Sequence, residues 1–120
     1  MAVTVTGVLL MLTGQVLFAW ARRENVFFSS TVRVQSERGH HVCATGPYRV
    51  VRHPGYLGLL LSGLAFPLVL DSHWAMIPAA LGAAFLVLRT MLEDRFLTEH
   101  LAGYAEYAAT TRWRLLPALF

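Results

Sequence analysis

The side chains that could do chemistry crowd into residues 35–56. This stretch, QSERGHHVCATGPYRVVRHPGY, carries three His, three Arg, two Pro and three Gly. Gly46-Pro47 and His53-Pro54 turn the backbone away from helix, because a proline disfavours helical geometry in the residue before it. Ordered non-helical backbone beside a membrane persists when it is buried in protein or lines a polar cavity, whereas a solvated loop needs neither. On these residues alone both readings stand. A second group is Arg89 and Glu93, four positions apart on one helical face, with Asp94 adjacent. That spacing describes an ordinary helix ion pair, or charges placed functionally where a helix leaves a membrane.

Other chemistries find no motif. His40, His41 and His53 invite a metal, but two of them are neighbours and no HExxH-like spacing accompanies them. There is no GxSxG, no Walker-type loop and no GxGxxG. Cys43, the single cysteine, can form neither an intramolecular disulfide nor a cysteine-based zinc site by itself.

The elements that must hold these groups are set by composition. Of 120 residues, 56% are hydrophobic and 14% charged, and the mean hydropathy is +0.52. Lipid is the solvent this implies. Three apolar spans are predicted, at about residues 3–21, 56–70 and 74–92, the second shortened by Pro67 and joined to the third by the turn Asp71-Ser72-His73. Ala79, Ala80, Gly82, Ala83 and Ala84 predict close helix packing by the third span. Ala19-Trp20-Ala21 resembles a signal-peptide cleavage site, but without a basic n-region a retained helix is the favoured reading. All ten basic residues are Arg, and all lie on one side of this threading. The positive-inside rule makes that side cytoplasmic, and it accounts for the +3 charge without nucleic acid. Leu97, Leu101, Tyr104 and Ala108 recur at spacings of four and three, predicting an amphipathic interfacial helix over 93–108. The tail, Arg112 to Pro117, reads as interfacial, with Trp113 and the leucines in the headgroup layer. The expected fold is thus one all-α integral membrane domain over 1–120: three transmembrane helices, a cytoplasmic-face loop at 35–56 and an interfacial helix.

Taken together, Gly46-Pro47-Tyr48-Arg49, Arg52-His53-Pro54-Gly55-Tyr56-Leu57-Gly58, Arg89-x-x-x-Glu93-Asp94-x-x-Leu97, Tyr104-x-x-Tyr107 and the RWRLLP tail resemble the isoprenylcysteine carboxyl methyltransferase family. Its bacterial relatives and the related phospholipid methyltransferases share the pattern, which runs from about Phe27 to Phe120. The resemblance implies S-adenosylmethionine bound at the cytoplasmic face. Carried over position by position, the cofactor would touch Gln35, His40, His41, Val42, Cys43, Tyr48, His53, Pro54, Gly55, Tyr56 and Glu93. Arg89, with Arg52, would hold the acceptor, and Arg89 would orient it for transfer. Asp94 stands where a second Glu is more usual. Relatives usually carry additional N-terminal helices, so the chain is expected to be either a minimal or a truncated member.

The function expected is methyl transfer from S-adenosylmethionine to a lipophilic acceptor in the membrane, a carboxylate foremost. Two alternatives remain at this point: an NADPH-dependent reductase of the sterol-reductase type, and a non-catalytic helix-bundle partner. The acidic Glu93-Asp94 pair and the RHPxYxG run favour the methyltransferase.

Overall fold

In a computed structural model all 120 residues are described, as helices and connecting segments without strands. The unbroken apolar run at the N-terminus forms α1, Ala2–Glu24. It ends at Asn25, whose backbone is extended and whose side-chain oxygen accepts the N–H of Phe27 at 3.0 Å, turning the chain into the polar stretch. The buried residues of α1 are Gly7, Gly14 and Ala21. A spacing of seven puts them in one stripe, and that stripe faces α2, Pro54–Val69. A Cβ on Gly14 would lie 2.5 Å from the carbonyl oxygen of Gly58, and one on Gly58 would lie 2.5 Å from that of Gly14. The two backbones therefore meet where neither carries a side chain. Gln15 Nε2 donates to Ser62 Oγ at 3.1 Å across the same seam, a polar clasp within an apolar interface.

Pro54 occupies the first turn of α2, where its missing N–H leaves no intrahelical bond unmade. The chain reverses through Asp71, with φ of 49°, into α3, Met76–His100. α1 and α3 are long and apolar enough to cross a membrane, with mean hydropathies of 1.9 and 1.5 over their best windows. Leu9, Leu12 and Val16 on the first, and Leu81, Phe85 and Leu88 on the second, are exposed. α2 is apolar but has 16 residues and is the shorter helix.

Three expectations are corrected. First, the small residues of the third span do not form the tightest helix seam: nothing lies within 4 Å of where a Cβ on Gly82, or on Gly63 of α2, would sit, and of the third span's small residues Ala83 packs against the Tyr56–Leu60–Leu115 cluster. An apolar cleft opens between α2 and α3 instead, lined by Leu60, Leu64, Phe66, Phe85 and Leu86 among others. The close seam is α1 on α2. Second, 93–108 is not one helix. α3 continues to His100, and the chain then breaks at Leu101 (φ −102°, ψ 120°) and Gly103 (φ 85°) before α4, Tyr104–Thr110. Only Gly takes that left-handed geometry without steric cost. Third, neither α4 nor the tail merely rests at an interface. Tyr104 and Tyr107 join Ala21, Tyr48 and Leu101 in one buried cluster, and Leu115 packs fully buried on Tyr56 and Leu60 in another.

Candidate functional site

The segment between α1 and α2 is shaped by its own hydrogen bonds. Gln35, almost completely buried, donates from Nε2 to the Phe27 carbonyl at 2.8 Å and accepts Arg38 Nη1 at 2.6 Å. Its backbone N–H donates to His40 Nδ1 at 3.0 Å. The ring of His40 consequently lies over Phe27, with centroids 4.4 Å apart, while His41 meets the same ring edge-on. Further along, Pro47 and Tyr48 sit buried in a short 3₁₀ turn, Gly46–Arg49, whose first glycine is left-handed. Tyr107 donates its hydroxyl to the Tyr48 carbonyl at 2.6 Å, fastening α4 over this turn.

These pieces enclose a pocket that is open at its mouth. Phe27, Phe28, His40, His41, Val42 and Cys43 come from the linking segment; Tyr48, Arg52, His53, Gly55 and Tyr56 from the approach to α2 and its first turn. Glu93 and Leu97 close it from α3, and Leu101, Tyr104 and Tyr107 from beyond. The wall is largely aromatic and carries one acid, Glu93.

Tyr56 is the divide between this pocket and a second one. Its hydroxyl donates to Glu93 Oε2 and accepts Arg89 Nε at 2.9 Å, while the guanidinium carbon of Arg89 lies 5.7 Å from its ring centroid. Arg89 also donates to the Ser30 carbonyl. Arg89 lines not the first pocket but the second, with Phe18, Arg22, Leu59, Phe85 and Leu86. Tyr56, Phe28 and Ser29 line both. Arg89 and Glu93 therefore do not form the simple helix ion pair their spacing allowed.

Behind the pocket, Asp94 accepts Arg52 Nη2 at 2.8 Å and His53 Nε2 at 3.0 Å. Arg52 Nε is buried without a hydrogen-bond partner, in a residue that lines the pocket. Burial raises the Tyr48, Tyr104 and Tyr107 phenols above their ordinary values, so all three remain donors. Desolvation, then the nearby His41, Arg33 and Arg38, lowers the His40 pKa, which keeps that ring neutral.

Of the residues singled out for a cofactor, His40, His41, Val42, Cys43, Tyr48, His53, Gly55, Tyr56 and Glu93 come together around the pocket. Gln35 and Pro54 do not line it: the first braces the loop and the second starts α2. Arg52, paired in the sequence reading with Arg89, stands on the other side of Tyr56 from it. Asn25, Phe27, Phe28 and Ser29 also line the pocket and were not among the residues singled out. Their signal was the Asx turn at Asn25, which folds them back. No three His, Cys, Asp or Glu side chains are placed to hold a metal ion.

The model of one protein family, described as phospholipid methyltransferase, matches residues 2–103. No curated protein and no solved structure matches the chain.

Proposed function

The chain belongs to the phospholipid methyltransferase family, and from that premise we propose that it moves a methyl group from S-adenosylmethionine to a lipophilic carboxylate in the membrane. The observation that carries this reading is the shared wall. Tyr56 and Phe28 separate an aromatic, acid-bearing pocket from a basic cavity, so two reactants can meet across one partition.

The pocket's residues fit a cofactor that is at once a nucleoside, an amino acid and a sulfonium. Tyr48, Tyr56 and Phe27 give the pocket an aromatic lining, Glu93 can accept from amino or hydroxyl groups, and the unpartnered Nε of Arg52 can donate to a carboxylate. Bound there, S-adenosylmethionine would supply an electrophilic methyl group to the acceptor oxygen, with the C–S electron pair returning to sulfur as the C–O bond forms.

The chain's own part is placement and shielding. The second cavity carries Arg22 and Arg89 and no acid, which suits an anionic acceptor. Leu59, Phe85 and Leu86 line both this cavity and the cleft between α2 and α3, giving a hydrocarbon chain a continuous apolar track. Holding the carboxylate on Arg89 and excluding water favours a displacement in which opposite charges neutralise one another. The one-sided Arg distribution supports a site on the cytoplasmic face. The NADPH reductase and the non-catalytic partner draw no support from the family match.

Calorimetric titration of the full chain in detergent with S-adenosylhomocysteine and with NADPH tests the cofactor. Binding of the first and not the second is expected. Binding of NADPH alone, or of neither, overturns the reading.

A further inference from the structure

Asp94 follows Glu93 on α3 but does not line the pocket. Its carboxylate, 6% exposed, accepts from four side chains. Arg52 Nη2 at 2.8 Å and Arg114 Nε at 3.2 Å meet one oxygen; His53 Nε2 at 3.0 Å and the Tyr104 hydroxyl at 2.8 Å meet the other. The tail reaches the same place through its backbone. Arg52 N–H donates to the Trp113 carbonyl and His53 N–H to that of Arg114, both at 2.9 Å. Arg114 N–H in turn donates to the Phe120 carbonyl at 2.7 Å, folding the chain's end over the junction.

A buried carboxylate is costly to desolvate, and one this fully paired fixes orientation more than it adds net stability. What it orients follows from donor and acceptor counting. With two guanidinium groups on it the carboxylate only accepts, so Nε2 of His53 must carry the ring proton. In the neutral ring Nδ1 is then the acceptor, and the ring lines the pocket and stacks on Tyr56 with centroids 5.8 Å apart. None of the protein's own donors uses Nδ1; His53 hydrogen-bonds only through Nε2 and its backbone.

We infer that Asp94 and Arg114 are positioning residues that hold His53 so that its Nδ1 accepts a hydrogen bond from an N–H or O–H group of the molecule in the pocket. The inference rests on the cofactor reading above. It also gives the tail, which lies beyond the family-matched residues 2–103, a part in binding without touching the ligand.

The test uses the full chain in detergent, titrated with S-adenosylhomocysteine, with ¹⁵N shifts of the histidine rings assigned by comparison with His53→Gln. The parent should show His53 as the Nε2–H tautomer before any ligand is added. Asp94→Asn should mix the tautomers and weaken binding about tenfold, the scale of one charge-assisted hydrogen bond, and Asp94→Glu should recover most of that loss. Arg114→Gln leaves Asp94 paired with Arg52 and should weaken binding about threefold while the melting temperature stays near the parent's. Unchanged affinity in both Asp94→Asn and Arg114→Gln overturns the inference. So does an Nδ1–H tautomer in the parent, a measurement that stands even where Asp94→Asn fails to fold. A parent that shows the Nε2–H tautomer but binds no S-adenosylhomocysteine overturns the cofactor reading instead, and leaves Asp94's hold on His53 intact.

Discussion

Arg89 and Glu93 occupy one face of α3 four residues apart, yet each bonds to the hydroxyl of Tyr56 on α2 and not to the other. The hydroxyl sits between a donor and an acceptor of opposite charge, so it reports to both cavities at once.

Tyr56→Phe keeps the ring that divides the cavities and removes only this bridge. The variant should fold, bind S-adenosylhomocysteine about three- to tenfold more weakly because Glu93 loses its tether, and lose turnover by a larger factor because Arg89 loses one too. Calorimetry and a methyl-transfer assay on the same preparation check this. Equal affinity and equal rate would show that the bridge does nothing for either site.

Gly14 and Gly63 should respond oppositely to the same added methyl group. At Gly14 a Cβ would meet the Gly58 carbonyl oxygen at 2.5 Å and the Ser62 backbone nitrogen at 2.9 Å, so α1 and α2 must separate. Gly14→Ala should destabilise the protein by about 1–3 kcal/mol, the usual cost of overpacking. Gly63→Ala meets nothing and gains about 0.5–1 kcal/mol of helix propensity. Thermal or denaturant unfolding in a mild detergent compares them.

The helices and the reactive segment were legible because hydropathy and proline act locally. The run at 3–21 reappears as Ala2–Glu24, and the kinks at Gly46-Pro47 and His53-Pro54 do bound the pocket's approach. Partners were not legible, because they depend on which elements meet. The resemblance carried Gln35 over as a cofactor contact, but its amide bonds to the Phe27 carbonyl and to Arg38 instead. The amphipathic period over 93–108 was real as a pattern of burial: Leu101 and Tyr104 are in the core. Gly103 breaks the helix that period implied, and a single left-handed glycine leaves a 3.6-residue pattern nearly unchanged. The tail's Leu115 gave no sign of being buried, since only the folding back of Arg114 on Asp94 brings it to Tyr56.

His40 makes the site sensitive to acid. Its Nδ1 accepts the Gln35 N–H, and its pKa in the folded chain is lowered, chiefly by desolvation. A base with a lowered folded pKa contributes stability that is complete above its unfolded value of about 6.5 and is lost as pH falls below it. Affinity for S-adenosylhomocysteine should therefore weaken from pH 7.5 toward about 5.5, as the loop carrying His40 and His41 loosens. His40→Gln, whose amide oxygen can accept the same N–H, should flatten that part of the profile. An identical decline in the variant would assign the proton elsewhere.

Glu93 and Arg89 should separate binding from turnover. Glu93 lines the pocket proposed for the cofactor, and its nearest bonded partner is the Tyr56 hydroxyl, so Glu93→Gln keeps the shape while removing a charge. Loss of a charge-assisted hydrogen bond is worth about 1.5–3 kcal/mol, so cofactor affinity should fall roughly ten- to a hundredfold. Arg89 stands across the partition, in the cavity with Arg22, Phe85 and Leu86. Arg89→Ala should leave cofactor affinity within about a factor of three, since it touches that pocket only through the Tyr56 hydroxyl, and should depress the transfer rate at saturating cofactor. An interaction that acts only in orienting the acceptor appears in the rate and not in the cofactor's dissociation constant. Both must be measured, with unfolding followed alongside. Should the two variants lose stability by similar amounts and bind cofactor as the parent does, the pair is structural and the assignment of the two cavities is wrong.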